Sequence, residues 1–172
     1  SIDPVTGETL WMWRMRDNPR WQESTRKNCG KGVAWAMVDG REVIYVITPG
    51  YYLAALDAET GIPIADFGED GIVDLHRNMG DYPFDPERGI LDSGDITASS
   101  PPIVVNGVVV VGNSHDRGYY PEKKENVPGH VRGYDAATGE MLWRFHVLPQ
   151  PGEFGHDTWE GDSWTYTGNI SA

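Results

Sequence analysis

Nearly the same turn is written three times in 172 residues: Ile2-Asp3-Pro4-Val5-Thr6-Gly7, Leu56-Asp57-Ala58-Glu59-Thr60-Gly61 and Tyr134-Asp135-Ala136-Ala137-Thr138-Gly139. Self-similarity at long spacing marks an architecture of repeated units. An Asp at a strand end can accept hydrogen bonds from backbone N–H groups of the turn, and Gly supplies the positive φ that a tight reversal needs. An apolar segment follows each copy, as in Met141-Leu142-Trp143-Arg144-Phe145. Each copy therefore reads as strand, turn, strand.

The intervening chain supplies the other strands. Val33–Val38, the hairpin signal Asp39-Gly40 and Glu42–Ile47 form one hairpin. Tyr52–Leu56, the second repeat turn and Ile62–Phe67 form the next, which predicts four consecutive antiparallel strands between 33 and 67. The order recurs later. Ser100–Val105, Asn106-Gly107 and Val108–Val111 are followed by His130–Tyr134, the third turn and Met141–Val147. Four strands per unit is the blade of a β-propeller. The fold expected is all-β, a partial β-propeller of four-stranded antiparallel blades with tryptophan docking motifs. Its expected segments are 1–14 (end of one blade), 33–68 (second blade), 96–147 (third blade) and 148–172 (a loop and the start of the next).

The repeat Asp residues stand 54 and 78 positions apart, against about 40–50 for a compact blade. The excess lies in 68–99 and 114–129, with a third loop at 148–165; long loops on a rigid scaffold commonly carry sites. Both termini read as cut through a repeat, so the chain is expected to be part of a longer propeller. Trp11 and Trp143 each stand four residues after a repeat Gly, and they and Trp13 are expected to pack between blades with the indole N–H on a backbone carbonyl.

The net charge of −12 argues against nucleic acid, whose binding rests on Lys and Arg, and against an anionic membrane surface. No run of 18 apolar residues spans a bilayer. The lone Cys29 excludes an internal disulfide. His156-Asp157 near Glu153 and Glu160 lacks recognisable zinc spacing, and Asp66–Gly71 lacks the alternating oxygen ligands of a calcium loop and reads as a turn.

Three segments together resemble the pyrroloquinoline quinone (PQQ) dependent, or quinoprotein, dehydrogenases: Ser99-Ser100-Pro101-Pro102-Ile103-Val104 with Val108–Gly112, Val131–Trp143, and Thr158-Trp159-Glu160-Gly161-Asp162-Ser163-Trp164. The resemblance runs from about residue 10 to the end. It implies an eight-bladed propeller with PQQ in a central funnel beside calcium or another divalent cation, of which this chain supplies about three blades. It also implies a periplasmic protein.

PQQ is a tricarboxylic ortho-quinone, so it needs local positive charge and hydrogen-bond donors. The resemblance assigns cofactor contact to Lys31, where the family commonly has Arg, and to Ser99, Ser114 and Ser171, with His115 at the same strand end. It assigns the cation to a Glu in the loop after Gly112, which offers Glu125 and Glu122, with Glu125 preferred. The adjacent-cysteine pair of many family members is absent from Thr25-Arg26-Lys27-Asn28-Cys29, which moves the resemblance toward glucose-dehydrogenase-like or unassigned members. The catalytic base and the remaining metal ligands are expected outside these residues. The implied function is oxidation of an alcohol or sugar hydroxyl, with electrons passed to a downstream acceptor; the isolated segment is expected to be inactive. Two alternatives stand beside this reading. One is a non-catalytic propeller scaffold for protein–protein interaction, like outer-membrane assembly lipoproteins; the other is a carbohydrate-binding module using exposed Trp.

Overall fold

A computed structural model describes residues 1–15, 18–24, 32–77, 79, 96–115 and 129–165, with His115 placed by its backbone. After the short helix α1 (Pro19–Glu23), strands β1 (Ala34–Val38), β2 (Arg41–Ile47), β3 (Tyr52–Asp57) and β4 (Ile72–Asp74) form one antiparallel sheet in chain order. Next come β5 (Ile96–Thr97), β6 (Ile103–Val105), β7 (Val108–Val111), β8 (Ser114–His115), β9 (His130–Asp135) and β10 (Met141–His146). A second four-stranded sheet runs β6-β7-β9-β10, and β5 pairs with β8 in a small two-stranded sheet. The four-stranded units are those expected of blades.

Turn chemistry fixes the registers. Asp39 and Gly40 both have positive φ (48° and 78°), as do Asn106 and Gly107 (49° and 75°), the two-residue geometry whose twist matches the flanking strands. In each repeat turn one Asp Oδ1 accepts two backbone N–H bonds. They come from Val5 and Thr6 to Asp3 at 2.7 and 2.8 Å, from Glu59 and Thr60 to Asp57 at 3.2 and 2.9 Å, and from Ala137 and Thr138 to Asp135 at 2.9 and 2.8 Å. These bonds favour the charged carboxylate and hold all three Asp below the usual carboxylate range, the bond from the Thr N–H being the largest cause each time.

The core lies between the sheets. Val43, Tyr45 and Ile47 point inward from β2, and Leu53 and Ala55 from β3. They meet Val109, Val111, Tyr134 and Ala136 of the second sheet. The opposite faces stay open: Trp35 and Met37 on one side, Ile103, Val105 and Phe145 on the other. Apolar surface of this kind marks interaction faces.

Two strand boundaries differ from expectation. Ile62–Phe67 does not form the fourth strand; only Pro63 makes an isolated bridge, to Leu56, and the fourth strand is β4. Pro63 has no N–H to give a ladder. The chain then turns at Gly68 and Gly71, both with positive φ, which drives Phe67 into the core. The Ser100–Val105 strand shortens to β6, since Pro101 and Pro102 likewise lack donors.

Candidate functional site

The site stands at the end of the second sheet remote from its Asn106-Gly107 turn. There β7 pairs with β9 through Val111 and Arg132 and then leaves it. Three residues later Ser114 pairs with Thr97, and His115 with Ile96. The divergence brings the Thr97 Oγ1 and Ser114 Oγ hydroxyls to 3.2 Å in a fully buried position. Ser99 follows β5 and precedes β6, so register puts it at the same end, half-buried. Pro101 lies against Gly32 just before β1; a Cβ on Gly32 would sit 3.3 Å from the proline Cβ. The site end of the second sheet is thus in contact with the start of the first.

Buried backbone groups at the break find side-chain partners. The Gly112 carbonyl accepts from the Tyr51 hydroxyl at 2.9 Å, and the His130 N–H donates to Asn113 Oδ1 at 3.1 Å. Tyr51 in turn accepts from Arg132 Nη2, while Arg132 Nη1 donates to the Leu75 carbonyl at 2.6 Å. Arg132 is fully buried, and no carboxylate pairs with it among the described residues. The rings of Tyr51 and Tyr134 lie 5.5 and 5.9 Å from its guanidinium carbon, which softens the burial of the charge. Burial pushes the Tyr51 hydroxyl up to about 12 against the pull of Arg132, so Tyr51 stays neutral and donates.

Two histidines flank this network. His76 meets Tyr51 edge-on at 5.6 Å, and burial, then the charge of Arg20, lowers its pKa to about 3. His130 meets His146 at 5.0 Å, and burial, then His146, lowers its pKa to about 4. Both are neutral at ordinary pH. α1 is tied nearby: Arg20 donates from both terminal nitrogens to Asp74 Oδ1 at 3.0 Å and lies 3.8 Å over the Tyr52 ring.

Of the residues singled out from sequence, Ser99 and Ser114 come to one end, and the His115 backbone joins them through its pairing to Ile96. Lys31, Ser171, Glu122 and Glu125 lie outside the described residues. Among the described residues no three His, Cys, Asp or Glu side chains gather as a metal site. His146 Nδ1 instead bonds Glu153 at 2.8 Å, and His156 Nδ1 meets the Pro149 carbonyl at 3.1 Å. Sequence reasoning missed Thr97, Tyr51, Asn113 and Arg132. One signal was available for Arg132: it alternates with His130 and Tyr134 along one face of its strand. A cavity of about 330 Å³ lies at the opposite end, lined by residues that include Asp39, Arg41, Asp66 and Thr138.

Comparison with known proteins bears on this geometry. Residues 1–172 match the PQQ family, glucose/ethanol/alcohol dehydrogenase, beta-propeller domain. The glycerol dehydrogenase large subunit of Gluconobacter oxydans is 31% identical over 154 residues, covering 86% of this chain and 19% of that protein. The quinohemoprotein alcohol dehydrogenase ADH-IIG of Pseudomonas putida is 37% identical, covering 98% of this chain and 21% of that one. The crystal structure of a quinohemoprotein alcohol dehydrogenase from Comamonas testosteroni superposes with a TM-score of 0.57 at 24% identity, over 88% of this chain and 18% of that one, a likeness of fold. The chain therefore spans about a fifth of the length of these relatives. With a match from the first residue to the last laid over four-stranded sheets that each carry the same repeated turn, the chain belongs to the PQQ-dependent dehydrogenase β-propeller family.

Proposed function

We propose that the full-length protein containing this chain oxidises an alcohol or sugar hydroxyl, using PQQ and a divalent cation such as calcium, and passes the electrons to a downstream acceptor in the periplasm. The observation that carries the reading is the Thr97–Ser114 hydroxyl pair beside Ser99. Two hydroxyls carry two donor hydrogens and their mutual bond uses one. The other has no acceptor among the described residues, at a place where neither oxygen meets solvent. A carboxylate or carbonyl oxygen of a polar aromatic acid satisfies it, so this donor set fits PQQ.

Bound PQQ supplies a two-electron acceptor for the carbon-bound hydrogen of the substrate. The chain's own residues hold and orient. Ser114, with Thr97 fixing its hydroxyl, and Ser99 donate hydrogen bonds from one wall; Lys31 adds a positive point charge and Ser171 a further hydroxyl; Glu125, or Glu122, offers oxygen to the cation, with His115 at the same strand end. The base that takes the hydroxyl proton comes from outside these residues. The open faces at Trp35 and Met37 and at Ile103, Val105 and Phe145 suit neighbouring blades of the same propeller. The test is reconstitution of the full-length protein with PQQ and calcium, followed by dye reduction across alcohols and sugars. Reduction that requires both additions is expected; no reduction together with no PQQ binding would overturn the reading.

A further inference from the structure

We propose that Asn113 and Tyr51 are positioning residues for the cofactor wall, because they satisfy the buried backbone groups on either side of the break that carries Ser114 to it. The inference rests on the PQQ reading above and deepens it.

The register of β7 on β9 runs from Val108↔Asp135 to Val111↔Arg132. Extended by two residues, it would set Asn113 opposite His130 and keep Ser114 on the main sheet. The chain does not continue that way. It breaks from β9 after Val111 and pairs Ser114 with Thr97 of β5. A buried break in a ladder is costly unless each orphaned group finds a partner. Here the Asn113 side-chain oxygen takes the His130 N–H that a backbone carbonyl would have taken. The Gly112 carbonyl points instead toward β6, where the register sets it opposite Pro101, which has no N–H, and the Tyr51 hydroxyl supplies the missing donor. Tyr51 is itself fixed by Arg132. Asn113 and Tyr51 are both fully buried, and Asn113 sits directly before Ser114 in the chain. Without Asn113 the favourable course for residues 112–115 is to rejoin β9, which turns the Ser114 hydroxyl away from Thr97; without the Tyr51 hydroxyl the peptide before Asn113 loses its anchor. They act through Ser114 and Thr97, not on the cofactor directly.

The experiment uses the full-length protein and measures the PQQ dissociation constant by tryptophan fluorescence quenching, beside turnover at saturating PQQ and thermal melts by circular dichroism. Asn113→Ala is expected to weaken PQQ binding about tenfold or more, the scale set by groups that orient a ligand's contacts, while substrate KM at saturating PQQ stays within about twofold. Asn113→Asp, which keeps the acceptor oxygen, is expected to recover most of the affinity. A folded Asn113→Ala protein with wild-type PQQ affinity overturns the inference. If Asn113→Ala does not reach the native fold, Tyr51→Phe carries the same test, since it keeps the ring against His76 and removes only the hydroxyl; unchanged affinity there overturns the inference equally. A wild-type protein that binds no PQQ defeats the functional reading itself. Wild-type binding with indifferent variants defeats only the positioning roles.

Discussion

Where the first repeat meets the second turn, one side chain meets two demands, and where the first sheet meets the third turn, three side chains share them. Trp11 lies over Gly61, where an added Cβ would come within 2.4 Å of the ring, and donates its indole N–H to the Ala58 carbonyl at 2.9 Å. At the second junction a Val73 methyl, the Gly68 backbone and the Phe67 ring cover Gly139, whose Cβ would meet them at 2.7, 3.1 and 3.3 Å. The Tyr45 hydroxyl donates to the Ala136 carbonyl at 2.5 Å. Ala58 and Ala136 occupy the same place, one residue after the repeat Asp. Ala65 stands four residues after Gly61, where the first and third repeats have Trp11 and Trp143. What the second and third turns share physically is the receiving side: a glycine that leaves room for a close-packed neighbour, and a carbonyl that needs a donor. The docking side is free to vary.

The comparison breaks most visibly at Phe67. Phe67 is fully buried, so Phe67→Ala is expected to cost about 3–5 kcal/mol in urea unfolding of the full-length protein, and Trp11→Ala, at a half-buried position, about 2 kcal/mol. Equal costs would show that the two junctions are not built differently. Acid acts next at the other end of the sheets, on the two histidines that flank the candidate site. His76 and His130 are neutral in the fold, with pKa values of about 3 and 4, against about 6.5 in the unfolded chain. Above pH 6.5 neither state holds these protons and they contribute no pH dependence. Below it the unfolded chain gains protons that the fold refuses, so stability falls as pH drops from 6.5 toward 4 and 3. Urea midpoints measured from pH 7 to pH 4 check this; His76→Gln should flatten the slope, and an unchanged slope would show His76 already charged in the fold. Tyr45→Phe is a finer probe, leaving the Ala136 carbonyl without its donor at a cost of about 1–2 kcal/mol. The smallest effect is expected from Ala65→Trp. Ala65 is exposed and its partner surface is already filled, so stability should change by less than about 0.5 kcal/mol. A gain well beyond that would mean Tyr45 and Phe67 leave the second seat unfilled.

The blade plan was legible because its signals are local. The three Asp–Gly turns, Asp39-Gly40 and Asn106-Gly107 each specify their own backbone geometry, and alternation along β2 and β7 specifies the buried face. The fourth strand of the first sheet was misplaced because Ile62-Pro63-Ile64 is apolar enough to read as a strand, while Gly68, Gly71 and Pro63 govern the path only through three-dimensional contacts. Ser99 and Ser114 were found through family resemblance. Thr97, Asn113 and Tyr51 were not, since their roles depend on a change of strand partner after Val111 that leaves no periodic trace. Arg132 stood in view as a charge on an inward strand position, but its partners, Tyr51 and the Leu75 carbonyl, come from the other sheet.

The end of the sheets that faces the quinone is the claim on which the function rests. A structure of the full-length protein with PQQ bound tests it most directly. The cofactor is expected within hydrogen-bond reach of Ser99 and of the Thr97–Ser114 pair. PQQ found at the repeat-turn end, in the cavity beside Asp39 and Arg41, would contradict the account.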